Sequence, residues 1–281
     1  MNRLLNRCTG RMEVRPSCQP RPTISHVVFD FDGTLSWLRH GWPEIMVEVF
    51  REQLPKQRGE TEEQIHEILL DLIVSLNGKP TIFQMLRFVE LVRERGGSQL
   101  AAESLRQEYQ RRLDTEIMAR SQLIQQGIAQ RDDFVVWGAR PLLEHLYNAG
   151  MKLIVLSSTI EERVKEEAEL LGLTAYFGRH IYGGTGDPTK FSKRAVFERL
   201  FHEERITGEN LLSFGDGPIE IADTKALGGL AIAICSDENQ NGSGEFDAFK
   251  QRQLLEAGAD AALPDFRDSI VLFDFLKGIH S

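Results

Sequence analysis

Long apolar runs are missing from this 281-residue chain: no stretch approaches the roughly 18 residues a membrane-spanning helix needs. Cysteine is scarce. Cys8, Cys18 and Cys235 are an odd set without metal-type spacing, which argues against a disulfide scaffold and points to free thiols in a reducing compartment. Positive charge is in deficit, 33 Lys and Arg against 42 Asp and Glu, for a net charge of −9. Nucleic acid and anionic membranes need a basic footprint, so neither is expected as the main partner. The histidines show no metal spacing. Gly184-Thr185-Gly186 has no third glycine and no acid at the distance a dinucleotide fingerprint requires. The expectation is a cytoplasmic globular protein with one large or two modest domains.

What the chain does contain begins at His26-Val27-Val28-Phe29-Asp30-Phe31-Asp32-Gly33-Thr34. β-Branched and aromatic residues predict a buried strand over about 24–31, running into two carboxylates one residue apart and a Gly-Thr turn. In an open α/β sheet, ligands sit beyond the carboxyl ends of the strands, so these acids face the usual crevice. Crowded like charges call for a cation, and Mg²⁺ commonly takes one or two carboxylates plus water and phosphate. Alone, the motif also reads as an acidic turn capping a helix.

Residues 1 to about 23, with five arginines and three prolines and no sustained period, predict a flexible basic arm without the apolar core of a secretory signal. From 42 to 130 the period is helical. Thr61 with Gln64 predicts a capping box ahead of an apolar face from Ile65 to Leu76, and Thr81 is the predicted cap of the next helix. A third helix carries Leu105, Tyr109, Leu113 and Ile117. So much helix after one strand predicts a separate helical domain. Strand and helix then alternate, with strands predicted at 152–156, 179–182, 211–214 and 230–234. These predict a parallel sheet covered on both faces, an α/β Rossmann-like core over 24–41 and 131–281.

Right-handed crossovers gather the carboxyl ends of parallel strands at one edge. That edge then collects Asp30 and Asp32, Ser157, Lys193 or Lys190, and Asp216. The set is chemically coherent: carboxylates hold a metal, a hydroxyl and an ammonium hold phosphate oxygens, and one carboxylate remains to attack phosphorus. Gly33, Thr34, Ser158 and Glu220 stand beside these positions.

Asp30-Phe31-Asp32-Gly33-Thr34, Ser157, Lys193 and Gly215-Asp216 with Glu220 resemble the signature of haloacid dehalogenase-superfamily hydrolases, and the helical insert is similar to that family's C1 cap. The resemblance implies a phosphatase-type enzyme with Asp30 as nucleophile, forming an aspartyl-phosphate, and Asp32 as general acid and base. It implies Mg²⁺ held by Asp30, the backbone carbonyl of Asp32, and Asp216. Ser157 would donate to the phosphoryl group, and the lysine would neutralise charge shared by Asp30 and phosphate. Phe191-Ser192-Lys193 resembles the third motif more closely than Thr189-Lys190. Glu220 stands where an Asp is common, so it is expected to reach the metal through water or to orient Lys193, with direct ligation also open. Arg39, Lys79 and Thr81, in the hinge and cap, are candidates for substrate contact. The expected substrate is a small phosphorylated metabolite, a phosphosugar or a phosphoglycolate-like acid. A phosphomutase, or a non-catalytic phospho-acceptor module, is the alternative.

Overall fold

In the computed structural model, residues 10–76, 80–185 and 192–279 are described. Strand β1 (Glu13–Val14) precedes β2 (His26–Phe29). Four helices follow: α1 (Trp42–Arg51), α2 (Glu62–Ser75), α3 (Ile82–Glu94) and α4 (Ala102–Gln125). The chain then alternates: α5 (Ala139–Asn148), β3 (Lys152–Ile160), α6 (Glu161–Leu170), α7 (Thr174–Phe177), β4 (Ile181–Gly184) and α8 (Lys193–Glu204). It closes with β5 (Leu211–Gly215), α9 (Pro218–Ala226), β6 (Leu230–Ile234), α10 (Ala248–Glu256), β7 (Ala261–Leu263) and α11 (Ser269–Lys277).

The strands form one sheet in the order β1-β7-β6-β5-β2-β3-β4, parallel except where β1 meets β7. From β2 the chain steps outward through β3 and β4, then returns to β5 on the other side of β2 and steps outward again. This reversal beside β2 is a topological switch point, where open α/β sheets hold their ligands. Register aligns the ends there: Phe29 pairs with both Val155 and Phe214, and the Asp30 amide continues the ladder to the Phe214 carbonyl at 2.9 Å.

Side-chain alternation divides the central strands between two cores. Val27, Phe29, Leu153, Val155, Leu212 and Phe214 point to one face, where Phe29 stacks on Phe214 with centroids 5.1 Å apart. Val28, Ile154 and Leu156 point to the other, against Phe197 and Leu200 of α8. With both faces buried, the strands need the near-continuous apolar runs the sequence carries.

Two compact units emerge: residues up to Leu38 with those from Leu123 onward, and Arg39–Gln122. The division falls at 38/39 and 122/123, three and eight residues earlier than the 41/42 and 130/131 boundaries expected from periodicity. The second unit is helical. Its core joins Met46, Phe50, Ile65, Leu69, Phe88, Leu105, Tyr109, Leu113 and Ile117, with Phe50 stacked on Phe88 at 4.0 Å. The Thr61 capping box forms, its hydroxyl accepting from Gln64 N at 3.2 Å and Gln64 Oε1 accepting from Thr61 N at 3.0 Å. Thr81 makes no side-chain cap, because its backbone is already helical (φ −51°) where a capping residue would be extended.

The flexible arm needs correction over residues 10–23. Val14 and Glu13 add an antiparallel edge strand to β7, Cys18 is fully buried, and Arg21 N donates to the Leu276 carbonyl. Its prolines and arginines hid a two-residue strand too short to show a period. Strand β7 also escaped prediction, and β4 begins two residues later than expected. No helix among the described residues is long and apolar enough to cross a membrane.

Candidate active site

Strand β2 delivers Asp30 directly to the switch point, and α8 begins with a lysine that reaches it. Ser192 caps α8, its hydroxyl accepting from Ala195 N at 3.4 Å, which sets Lys193 in the first turn. Lys193 Nζ lies 2.8 Å from Asp30 Oδ1 and 3.5 Å from Glu220 Oε2. Burial alone would lower the lysine's pKa, but Asp30 and Glu220 outweigh it and hold the ammonium well above its usual range. Lys190, the alternative lysine, lies outside the described residues, as does Lys79.

Asp216 and Glu220 arrive from the turn after β5. Pro218 opens α9, and Glu220, in its first turn, accepts the Gly217 N–H at 2.6 Å. A Cβ on Gly217 would sit 2.6 Å from Glu220 Oε1, so only glycine permits this approach. Gly33 serves the same end from the β2 loop: its φ is +75°, and a Cβ there would fall 2.2 Å from Asp216 Oδ2. Thr34, fully buried, donates to Asp216 Oδ1 at 3.3 Å.

Asp30, Asp216 and Glu220 each offer an oxygen, all within 4.8 Å of one another. Burial, with repulsion from Glu220 and Asp216, pushes the Asp30 carboxyl well above its usual value despite Lys193. Burial likewise pushes Asp216 up to about 6, with Glu220 and Glu238 adding to it and Lys250 opposing. For Glu220, burial is outweighed by Lys193 and backbone N–H donors, and its pKa falls. Three hard oxygens at this spacing, two of them poorly tolerated as bare anions, are what a small divalent cation relieves. Glu220 therefore sits with the carboxylate cluster and also lies 3.5 Å from the lysine Nζ.

The side chain of Asp32 is not part of that cluster. Its Oδ2 accepts from Thr159 Oγ1 at 2.7 Å and from Ser157 Oγ at 3.4 Å. Ser158 alternates to the opposite side and is exposed. Arg39 and Thr81 belong to the helical unit.

Sequence reasoning missed three contributors. Thr159 was within reach, since it stands two residues from Ser157 and side chains on a strand repeat every second residue. Lys250 gave no signal, and Glu238 only its place after the strand at 230–234. Lys250, almost fully buried at the start of α10, lies 3.4 Å from Asp216 Oδ2 and 2.5 Å from Glu238 Oε1. Only the fold returns that helix to the β5 turn.

The family model described as haloacid dehalogenase-like hydrolase matches residues 24–228. Among solved structures, the fold is similar to that of a conserved haloacid dehalogenase-like protein of unknown function from Agrobacterium tumefaciens str. C58 (TM-score 0.62, 15% identity, 89% of this chain and 97% of that one). It is similar also to a predicted phosphoglycolate phosphatase from Haemophilus somnus 129pt (TM-score 0.59, 16% identity, 89% and 98%). CbbY from Rhodobacter sphaeroides in complex with phosphate is a third (TM-score 0.51, 18% identity, 87% and 95%). At these identities the likeness is one of fold. Comparison with curated proteins gives no match.

Proposed function

This chain belongs to the haloacid dehalogenase-like hydrolases, and on that premise we propose that it is a Mg²⁺-dependent phosphatase. Its substrate in this reading is a small phosphorylated metabolite, a phosphosugar or a phosphoglycolate-like acid, and Asp30 carries the phosphoryl group between two steps. The observation that carries the reading is the division of labour between acids two residues apart. Asp30 pairs with a buried ammonium amid metal-type carboxylates, while Asp32 is engaged by hydroxyls instead.

The Asp30 carboxylate attacks phosphorus, and the ester P–O bond breaks as the leaving oxygen takes a proton from Asp32. Lys193 offsets the charge shared by Asp30 and the phosphoryl oxygens, and Ser157 donates to one of them. Water then attacks the aspartyl-phosphate, Asp32 accepts its proton, and phosphate departs with Asp30 restored. Mg²⁺, held by Asp30, Asp216 and the Asp32 carbonyl with Glu220 beside them, would neutralise phosphoryl charge. The likeness in fold to a predicted phosphoglycolate phosphatase from Haemophilus and to CbbY in complex with phosphate supports the substrate class.

The test is phosphate release from a panel of phosphorylated metabolites with Mg²⁺, comparing wild type with Asp30→Asn. Turnover lost in the variant and with chelator is the expected result. Equal release by Asp30→Asn would remove the nucleophile assignment. Phosphorylation of Asp30 without release would mean transfer to a second hydroxyl, as in a mutase.

A further inference from the structure

The Gly183-Gly184 pair, which plays no part in the chemistry above, has a geometric consequence at the site. Strand β3 does not stop where its pairing with β2 ends at Val155; it continues through Ser157 to Ile160, and Ile160 pairs with Gly184 across an irregular register. A Cβ on Gly183 would lie 2.5 Å from Glu161 Cα, and one on Gly184 would lie 2.9 Å from the Ser158 carbonyl oxygen. Two glycines thus let the β4 backbone close on residues 158–161, and the extended strand carries Thr159 to the Asp32 carboxyl.

We infer that Thr159 is a positioning residue for the proton donor: its hydroxyl fixes the rotation of the Asp32 carboxyl, while Ser157, whose one proton serves the phosphoryl group, anchors the Thr159 backbone. The inference rests on the phosphatase reading. Thr159 Oγ1 is 2.7 Å from Asp32 Oδ2, within the short range of a hydroxyl bonded to a carboxylate. Ser157 Oγ stands beside both partners, 3.4 Å from the same Oδ2 and accepting the Thr159 N–H at 3.1 Å, a bond it keeps when its own proton turns to a phosphoryl oxygen. The three groups close a ring, so the Thr159 backbone, its hydroxyl and the acid are fixed together. A general acid must stand within hydrogen-bond reach of the oxygen it protonates, and a misplacement of about 1 Å costs roughly 10²-fold.

Leaving groups separate this role from a structural one. In the first step a bond forms between an Asp30 oxygen and phosphorus, the ester P–O bond breaks, and the electron pair stays with the leaving oxygen. An alkoxide must take the Asp32 proton as it departs; p-nitrophenolate leaves as a stable anion without one. The value of kcat/KM reports this step even if the second limits turnover.

The experiment uses the full chain with Mg²⁺ and measures kcat/KM for glycerol phosphate and for p-nitrophenyl phosphate, in wild type, Thr159→Val, Thr159→Ala and Thr159→Ser, with melting temperatures alongside. Thr159→Val and Thr159→Ala are expected to lose about 10²-fold on the alkyl ester and only a few-fold on the aryl ester, with Thr159→Ser close to wild type. Equal losses on both esters, or no loss on either, would overturn the inference while leaving the phosphatase reading intact. No phosphate release by wild type from any ester would overturn that reading and this inference with it.

Discussion

The ammonium of Lys193 lies 2.8 Å from Asp30 Oδ1, and both side chains are largely shut away from water. Removing one partner of a buried pair strands the other, at a cost of about 3–5 kcal/mol. Lys193→Met is therefore expected to lose stability of that order in urea unfolding and to lose turnover. Adding Asp30→Asn should return part of the stability and none of the activity. A loss below about 1 kcal/mol for the single variant would show that the pair is not desolvated in solution.

Gly33 sets how closely the β2 loop approaches Asp216. Gly33→Ala carries the cost of a left-handed φ, about 1 kcal/mol, and drives its Cβ against Asp216 Oδ2. Mg²⁺ binding should raise the wild-type melting temperature, since a ligand at about 100 times its Kd adds roughly 2.7 kcal/mol. In Gly33→Ala most of that rise should vanish. An identical Mg²⁺-dependent shift in both proteins would count against Asp216 as a ligand.

Lys250 separates Asp216 from Glu238, and its ammonium is held above the usual range because those acids outweigh its burial. Lys250→Met should destabilise by about 3–5 kcal/mol, leaving two buried acids facing each other. Substituting Glu238→Gln as well should recover a large part. Additive losses in this double-mutant cycle would mean the two residues are not coupled.

His26 begins β2 at the end of the sheet away from the acids. Its Nδ1 lies 2.8 Å from Ser25 Oγ, and its buried Nε2 has no hydrogen-bond partner among the described residues. Burial, with Lys152 nearby, lowers its pKa below 6.5. The unfolded chain therefore binds the proton first as pH falls. The stability that neutral His26 contributes is complete above pH 6.5 and is lost as pH drops toward the folded value. Urea midpoints taken from pH 7.5 down to about 5.5 should fall, and less steeply in His26→Leu. Parallel slopes would assign the pH dependence elsewhere.

The strands at the candidate site were legible because their apolar runs end abruptly in acids or hydroxyls: Asp30 and Asp216 follow the last residues of β2 and β5, and Ser157 lies just past the point where β3 leaves its pairing with β2. The helical faces from Ile65 and from Leu105 were legible by period. The edge strand β1 was not, since two residues display no alternation and their partner β7 lies at the other end of the chain. Nor was Lys250, because a buried lysine looks in sequence like any lysine on a helix. Its role depends on the β5-to-β6 crossover and the connection after β6, which bring α10 back to the β5 turn. Glu220 fell between these cases: its position was visible, but its simultaneous contact with Lys193 and the other acids depends on how tightly α9 begins.

The segments on either side of the helical insertion are bonded to each other: Trp37 N donates to the Phe134 carbonyl, and Val136 N to that of Leu35. This bears on the order of folding. Strands β2 and β3 are neighbours in the sheet yet more than a hundred residues apart, and pairing them directly would close a long loop at high entropic cost. Helical contacts within Arg39–Gln122 are local in sequence and carry a far smaller closure cost. With the Trp37 and Phe134 segments joined, the loop that β2–β3 pairing must close is shortened to the residues outside the insertion, which then weighs on that pairing little more than a turn would.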